Sequence, residues 1–115
     1  MKTFGMALDL IDDPDVISEY CEYHRNVWPD VIEGLSLIGI NEMKIFLGGN
    51  RLFMYIETSD EFEPGRDFPK YMETGSAKKW DDLMRKFQQK VPSANPEEWW
   101  TQMEEVFNLK WFNNK

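Results

Sequence analysis

The chain of 115 residues is long enough for one domain with one hydrophobic core, so we predict a single domain over residues 1–115. Its 13 basic and 21 acidic residues give a formal net charge of −8, which argues against nucleic acid and anionic membrane surfaces as partners. Cys21 is the only cysteine and His24 the only histidine, which rules out an internal disulfide and argues against a metal site such as structural zinc.

The N-terminal residues predict neither a secretion signal nor a membrane anchor. Their apolar run is short and is soon interrupted by Asp9, which does not fit a signal peptide. No apolar segment of the sequence approaches the length of a transmembrane helix. We therefore expect a cytoplasmic protein with no membrane partner.

The first predicted elements are a strand and a helix. Residues 4–10 form the strand, because Phe4, Met6 and Leu8 alternate onto one face. Asp13 can cap the helix and Pro14 fits its first position, whereas Pro29 should end or kink it. Two series recur at helical spacing along it: Val16, Tyr20, Tyr23 and Val27, and Ile17, Cys21, His24 and Trp28.

A short helix and a hairpin should follow. The helix is predicted from Asp30, with Gly39 as its stop. Gly48-Gly49-Asn50 is a strong signal for a hairpin turn. Apolar residues alternate on both sides of this turn: Met43, Ile45 and Leu47 before it, and Leu52, Met54 and Ile56 after it.

The second half of the chain gives weaker signals. Ser59 to Gly75 mixes charge with proline and glycine, which predicts a surface connection with no more than a turn of helix. A helix is predicted from Ser76 to about Pro92. Residues 99–107 fit a helical period better than a two-residue alternation. If this last segment is nevertheless a strand, the order of elements is that of a ferredoxin-like α+β sandwich.

The stretch from Tyr20 to Pro29 carries the candidate chemistry. On a helix Tyr20 and His24 share a face, one turn apart. Histidine titrates near neutral pH and tyrosine is a weak acid, so the pair offers two proton-transfer groups to one small molecule. Trp28 lies one turn further along and offers a flat apolar wall.

This stretch resembles the L-rhamnose mutarotase family, which includes L-fucose mutarotase-like members. The resemblance runs from about Thr3 to Leu109 and includes the hairpin, Trp80 with Met84, and residues 103–107. It implies a ferredoxin-like fold with an antiparallel sheet, helices on one face and homodimers whose sheets pack into a dimeric α/β barrel. It also implies interconversion of the anomers of a six-carbon deoxy sugar without a cofactor. For the last segment it implies a strand, which we adopt over the local period.

The resemblance assigns roles to individual residues. The family's catalytic histidine falls on His24, and a sugar-contacting tyrosine falls on Tyr20. A second sugar-contacting tyrosine falls on Met43, and a tryptophan pair falls on Trp80 and Asp81. These departures affect substrate contacts and leave the proton-transfer pair intact, so they question L-rhamnose more than they question mutarotation.

We therefore expect catalysis by His24 and Tyr20 and binding of a monosaccharide, L-fucose above all. The substrate-binding candidates are Trp28, Met43, Trp80 and Asp81. Considered as single residues, His24 is more typical of a structural histidine and Tyr20 of a residue at the edge of the core. Trp28 and Trp80 are equally consistent with a place in a pocket and a place in the core. Three alternatives stay open: an L-rhamnose mutarotase, a non-catalytic sugar-binding module, and a monooxygenase-like enzyme with a larger apolar pocket.

Overall fold

The computed structural model describes residues 1–112 as an α+β fold with an antiparallel sheet and four α-helices. In chain order the elements are β1 Lys2–Leu10, α1 Pro14–Arg25, α2 Pro29–Leu37, β2 Ile40–Gly48, β3 Arg51–Thr58, α3 Pro64–Met72, α4 Gly75–Met84, β4 Gln88–Gln89, β5 Thr101–Met103 and a short 3-10 helix Leu109–Phe112. None of the helices in this range is both long enough and apolar enough to cross a membrane.

β1 lies at the centre of the sheet. It pairs along its length with β3, and β2 pairs with the other edge of β3. The second edge of β1 pairs with β5 around Met6 and with β4 at Asp9 and Leu10. Because β4 and β5 together occupy one edge position, the strand order matches the predicted ferredoxin-like arrangement.

The predicted hairpin between β2 and β3 is confirmed. Gly48 faces Arg51, so Gly49 and Asn50 form a two-residue turn. The φ angle of Gly49 is +60°, a conformation that suits glycine at the first turn position. The side-chain amide of Asn50 donates to the Leu10 carbonyl at 2.9 Å and fastens the turn to β1.

The helices cover one face of the sheet and leave the other uncovered within the described chain. The covered face buries Met6, Leu8 and Leu10 of β1 and Leu52, Met54 and Ile56 of β3. On the opposite face Phe46 is 55% exposed and Phe53 is 39% exposed. The Phe53 ring lies over Gly5, where an added Cβ would come within 2.9 Å of it. This second face therefore presents exposed aromatic rings beside the ion pairs Lys44–Glu42 and Arg51–Asp9, and no element of the described chain covers it.

Helix α3 stands where we expected a surface connection, so that prediction was wrong. Pro64 occupies its first position, and the Asp67 carboxylate accepts the Glu63 backbone N–H at 2.8 Å. Tyr71 is buried against Gly34 of α2, where an added Cβ would lie 3.0 Å from its ring. This packing between distant residues holds a helix that the local proline and glycine content argued against.

The other helices agree with the prediction in position and differ in length. α1 ends at Arg25, because Asn26 leaves helical geometry with a φ of −136°. α2 stops as predicted before Gly39, whose φ of +102° suits glycine. α4 ends at Met84 rather than near Pro92, because the chain turns there to enter β4.

The last segment includes a strand. Thr101–Met103 pairs with Gly5–Ala7 of β1, so the helix favoured by the local period was wrong and the strand implied by the resemblance is confirmed. The backbone groups on this edge of β1 need hydrogen-bond partners. The spacing of apolar residues within a segment cannot show that the segment pairs with a strand far away in the sequence.

Candidate active site

Helix α1 brings Tyr20 and His24 into direct contact. Their rings stack with centroids 4.2 Å apart and planes 29° apart. The His24 Nδ1 atom lies 2.9 Å from the backbone carbonyl oxygen of Tyr20. Because a carbonyl only accepts, this bond assigns the proton of the neutral imidazole to Nδ1 and leaves the Nε2 lone pair free. His24 is thereby oriented as a base.

The protonation state of His24 agrees with this role. Partial burial lowers its pKa from the ordinary value, and the hydrogen bond to the Tyr20 carbonyl opposes this shift in part. A lowered pKa keeps the imidazole neutral at pH near 7. The free nitrogen is then available to take a proton.

Tyr20 lies deeper than the sequence suggested. Its side chain is 3% exposed, and burial raises its pKa well above the ordinary value. The nearby side chain of Gln88, on β4, lowers the pKa and so acts in the opposite direction. Tyr20 therefore keeps its proton at neutral pH and can donate it in a hydrogen bond. Sequence reasoning missed Gln88, because only the pairing of β4 with β1 brings it beneath α1.

Trp80 joins the pair to the rest of the aromatic cluster. Its ring lies edge-on to His24 at a centroid distance of 5.4 Å and to Trp28 at 5.1 Å. Tyr23, which was not among the predicted site residues, meets Trp80 at 6.3 Å. Trp80 is 8% exposed, so it is foremost a core residue whose edge touches the site, whereas Trp28 is half-buried.

Asp81 follows Trp80 on α4 and is a half-buried carboxylate. Burial raises its pKa, and Arg85 opposes the shift. The Arg85 Nη2 atom lies 2.9 Å from Asp81 Oδ2, yet this buried oxygen has no aligned hydrogen bond among residues 1–112. Burial and the neighbouring Asp81 charge together raise the pKa of Tyr71 to about 12. Asp81 is thus a half-buried carboxylate whose charge is balanced by Arg85, one turn further along at the end of α4.

Met43 lies apart from the other predicted site residues. It is on β2, directly opposite Ile56, and packs in the core cluster that also holds Met6 and Phe62. Tyr20 and Trp80 belong to the neighbouring cluster, to which Ile45 provides a link. The structure brings Tyr20, His24, Trp28 and Trp80 into one group and gives Met43 no direct contact with them.

A cavity of about 370 Å³ opens beside this group along α1. Its lining is made of Glu19, Glu22, Tyr23, Asn26 and Trp28. Trp28 is the only predicted site residue in that lining. The cavity combines two carboxylates and an amide with two aromatic rings, groups that suit hydroxyl-bearing and apolar surfaces respectively.

Comparisons with known proteins agree on one family. The family model described as L-rhamnose mutarotase matches residues 3–109. A UPF0734 protein of Dictyostelium discoideum is 50% identical over 118 residues, which cover 99% of this chain and 94% of that protein. The L-fucose mutarotase of Xanthomonas campestris is 32% identical over 111 residues, which cover 95% of this chain and 89% of that protein.

A solved structure extends the likeness to the fold. The crystal structure of an L-rhamnose mutarotase from Formosa agariphila matches with a TM-score of 0.69 and 24% identity, over 95% of this chain and 99% of that one. This supports the α+β architecture alone. The match of the family model over nearly the whole length carries the assignment, and the chain belongs to the L-rhamnose mutarotase family.

Proposed function

We propose that this chain interconverts the α and β anomers of a 6-deoxy hexose without a cofactor, with L-fucose as the preferred sugar. Membership of the mutarotase family supports the reaction class. The observation that carries the proposal is the orientation of His24, whose Nδ1 lies 2.9 Å from the Tyr20 carbonyl, so that Nε2 carries the lone pair of the neutral imidazole. A base and a protonated tyrosine in stacked contact are the groups that this reaction needs.

The reaction is a pair of proton transfers. Neutral His24 takes the proton of the anomeric hydroxyl while the Tyr20 hydroxyl protonates the ring oxygen, and the bond between the anomeric carbon and the ring oxygen breaks. Rotation of the open aldehyde exposes its other face. The two groups then exchange roles as the ring closes. A well-placed acid and base contribute about 10²–10⁴-fold, and holding the sugar in register adds to this.

Aromatic walls suit a deoxy sugar. The ring of Trp80 lies beside His24, and the half-buried ring of Trp28 lies beside Trp80. Both rings can pack on the C–H face and the methyl group of the sugar. Asp81, the residue after Trp80, carries a half-buried carboxylate, and a carboxylate accepts hydrogen bonds from sugar hydroxyls. A methionine at position 43 cannot donate a hydrogen bond, so a hydroxyl that a tyrosine would hold goes unrecognised.

Two sequence differences from the rhamnose enzymes favour L-fucose over L-rhamnose. The names of the relatives do not choose between the sugars, because the family model is described by L-rhamnose and the Xanthomonas protein by L-fucose. The preference rests on the two positions, Met43 and Asp81, that depart from the expected pattern of the rhamnose enzymes.

The same proposal includes a homodimer built through the uncovered face of the sheet, as in a dimeric α/β barrel. Phe46 and Phe53 stack on that face at 6.3 Å. Further apolar side chains are exposed near the end of the described chain: Met103, Val106, Phe107, Leu109, Trp111 and Phe112. Exposed apolar surface of this extent is typical of an interface. The radius of gyration of 15.0 Å also exceeds the roughly 13 Å of a compact chain of this length.

The depth of Tyr20 favours a second candidate, a non-catalytic sugar-binding module. A hydroxyl on a side chain that is 3% exposed has little access to a ligand. In that case the aromatic group would bind the sugar and His24 would only orient it. Replacing His24 would then change affinity and leave anomeric exchange at the rate of water.

Saturation-transfer NMR separates the two candidates. One anomeric resonance of a reducing sugar is saturated, and the loss of intensity at the other anomer reports exchange directly. We expect the protein to accelerate exchange of L-fucose most, L-rhamnose less and D-glucose least. Binding without faster exchange of any sugar would favour the binding module. Faster exchange of L-rhamnose than of L-fucose would overturn the proposed preference.

A further inference from the structure

Gln88 is a buried polar residue with a fixed position. Its side chain is 8% exposed, and on β4 it lies directly opposite Leu10 of β1, whose side chain packs beneath α1. The Gln88 N–H donates to the Arg85 carbonyl at 3.3 Å, and the Ile11 N–H donates to the Phe87 carbonyl at 2.9 Å. The backbone on both sides therefore holds this glutamine against the interior.

The group that Gln88 meets there is Tyr20. Leu10 and Tyr20 pack in one core cluster, and the Phe87 ring lies 6.4 Å from the Tyr20 ring. The nearby Gln88 side chain opposes the rise in the pKa of Tyr20, which is the effect expected of a donor close to a phenolic oxygen. A buried amide without a partner is costly, so a glutamine among apolar neighbours at this position needs a polar group beside it.

We propose that Gln88 is a positioning residue whose side-chain amide donates to the phenolic oxygen of Tyr20 and turns the hydroxyl proton toward the sugar beside His24. This rests on the proposed function. A tyrosine hydroxyl has one proton to give. When the Gln88 amide donates to the phenolic oxygen from the β4 side, the hydroxyl proton of Tyr20 must point away from Gln88. Rotation of the hydroxyl group is then restricted. Fixed rotation is what transfer to a ring oxygen requires.

Gln88→Met tests the proposal, because methionine keeps the length of the side chain and removes the amide. Gln89→Met is the matched control, since Gln89 is the exposed neighbour on the same strand. Saturation transfer at several sugar concentrations separates kcat from KM. In protein with isotope-labelled tyrosine, the Cζ resonance of Tyr20, assigned with Tyr20→Phe, reports the hydrogen bond without any sugar.

We expect Gln88→Met to lower kcat about tenfold, the factor that one net hydrogen bond contributes, with KM unchanged and the Tyr20 resonance shifted. Gln89→Met should change neither. Gln88→Glu should lower kcat at least as far, because an ionised carboxylate accepts the hydroxyl proton instead of donating. If Gln88→Met does not fold, Gln88→Glu carries the test, since it keeps the shape of the side chain.

Wild-type kcat in a folded Gln88 variant, an unmoved Tyr20 resonance or an effect on KM alone would each overturn the positioning role. The proposed function fails in a different way. Wild-type protein would then accelerate exchange of no sugar, while the Tyr20 resonance would still respond to Gln88.

Discussion

Trp80→Ala should destabilise the fold strongly, and Trp80→Phe should separate stability from activity. Trp80 is 8% exposed and makes edge-to-face contacts with His24, Trp28 and Tyr23 at 5.4, 5.1 and 6.3 Å. Truncating a buried tryptophan to alanine costs about 3–5 kcal/mol, and each aromatic pair is worth about 0.5–1.5 kcal/mol within that sum. The free energy of unfolding of natural domains is about 5–15 kcal/mol. The alanine variant should therefore keep only part of its stability.

Trp80→Phe keeps a ring and should cost about 1–2 kcal/mol, chiefly through the smaller volume. Because the Trp80 ring packs against the His24 imidazole at 5.4 Å, we expect it to help orient His24, so exchange should slow in this variant even where it is fully folded. Trp99→Phe is the control, since Trp99 is half-buried and contacts the charged groups of Arg85 and Lys90 instead. Urea unfolding followed by circular dichroism gives the stabilities, and saturation transfer gives the rates. A folded Trp80→Phe protein with wild-type exchange would refute the orienting role and leave Trp80 a core residue only.

Three further predictions follow from the same contacts. Tyr20→Phe should slow exchange, because it removes the hydroxyl that protonates the ring oxygen in the proposed reaction; an unchanged rate in this variant would remove Tyr20 from the reaction. Burial lowers the pKa of His24, so this residue binds fewer protons in the folded chain than in the unfolded chain. The contribution of neutral His24 to the free energy of unfolding is therefore complete above about pH 6.5, and it is lost as pH falls through the lowered pKa of the folded state. His24→Gln should lack this loss in urea titrations, and equal acid sensitivity of the two proteins would contradict the assignment. Sedimentation should give a dimer for the wild type and a monomer for Phe46→Lys, whereas a wild-type monomer at micromolar concentration would contradict the interface.

Local chemistry is what the sequence predicted well. The Gly48-Gly49-Asn50 turn with alternating strands identified the hairpin, since a positive φ and the two-residue period are properties of neighbouring residues. Asp13 and Pro14 likewise marked the start of α1, where the Asp13 carboxylate accepts the Asp15 N–H at 2.8 Å. Such signals need no knowledge of the rest of the fold.

Long-range packing is what the sequence concealed. α3 depends on the burial of Tyr71 against Gly34, and β5 depends on the free edge of β1. The helical spacing of Tyr20 and His24 correctly predicted a shared face, but it did not predict how deeply Tyr20 is buried. Gln88 had no local signal at all, because only the pairing of β4 with β1 brings it beneath α1. The assigned roles of Met43 and Asp81 are still predictions.

The most direct test of the central claim is saturation transfer on L-fucose with His24→Ala, compared with the wild type. Arg25→Ala is the matched control, since Arg25 is the adjacent residue, exposed and paired with Glu22 at 2.6 Å. With circular dichroism confirming the fold, His24→Ala should lose anomeric exchange by about 10²-fold or more, while Arg25→Ala should match the wild type. A folded His24→Ala protein with near wild-type exchange would contradict the assignment of His24 as the base.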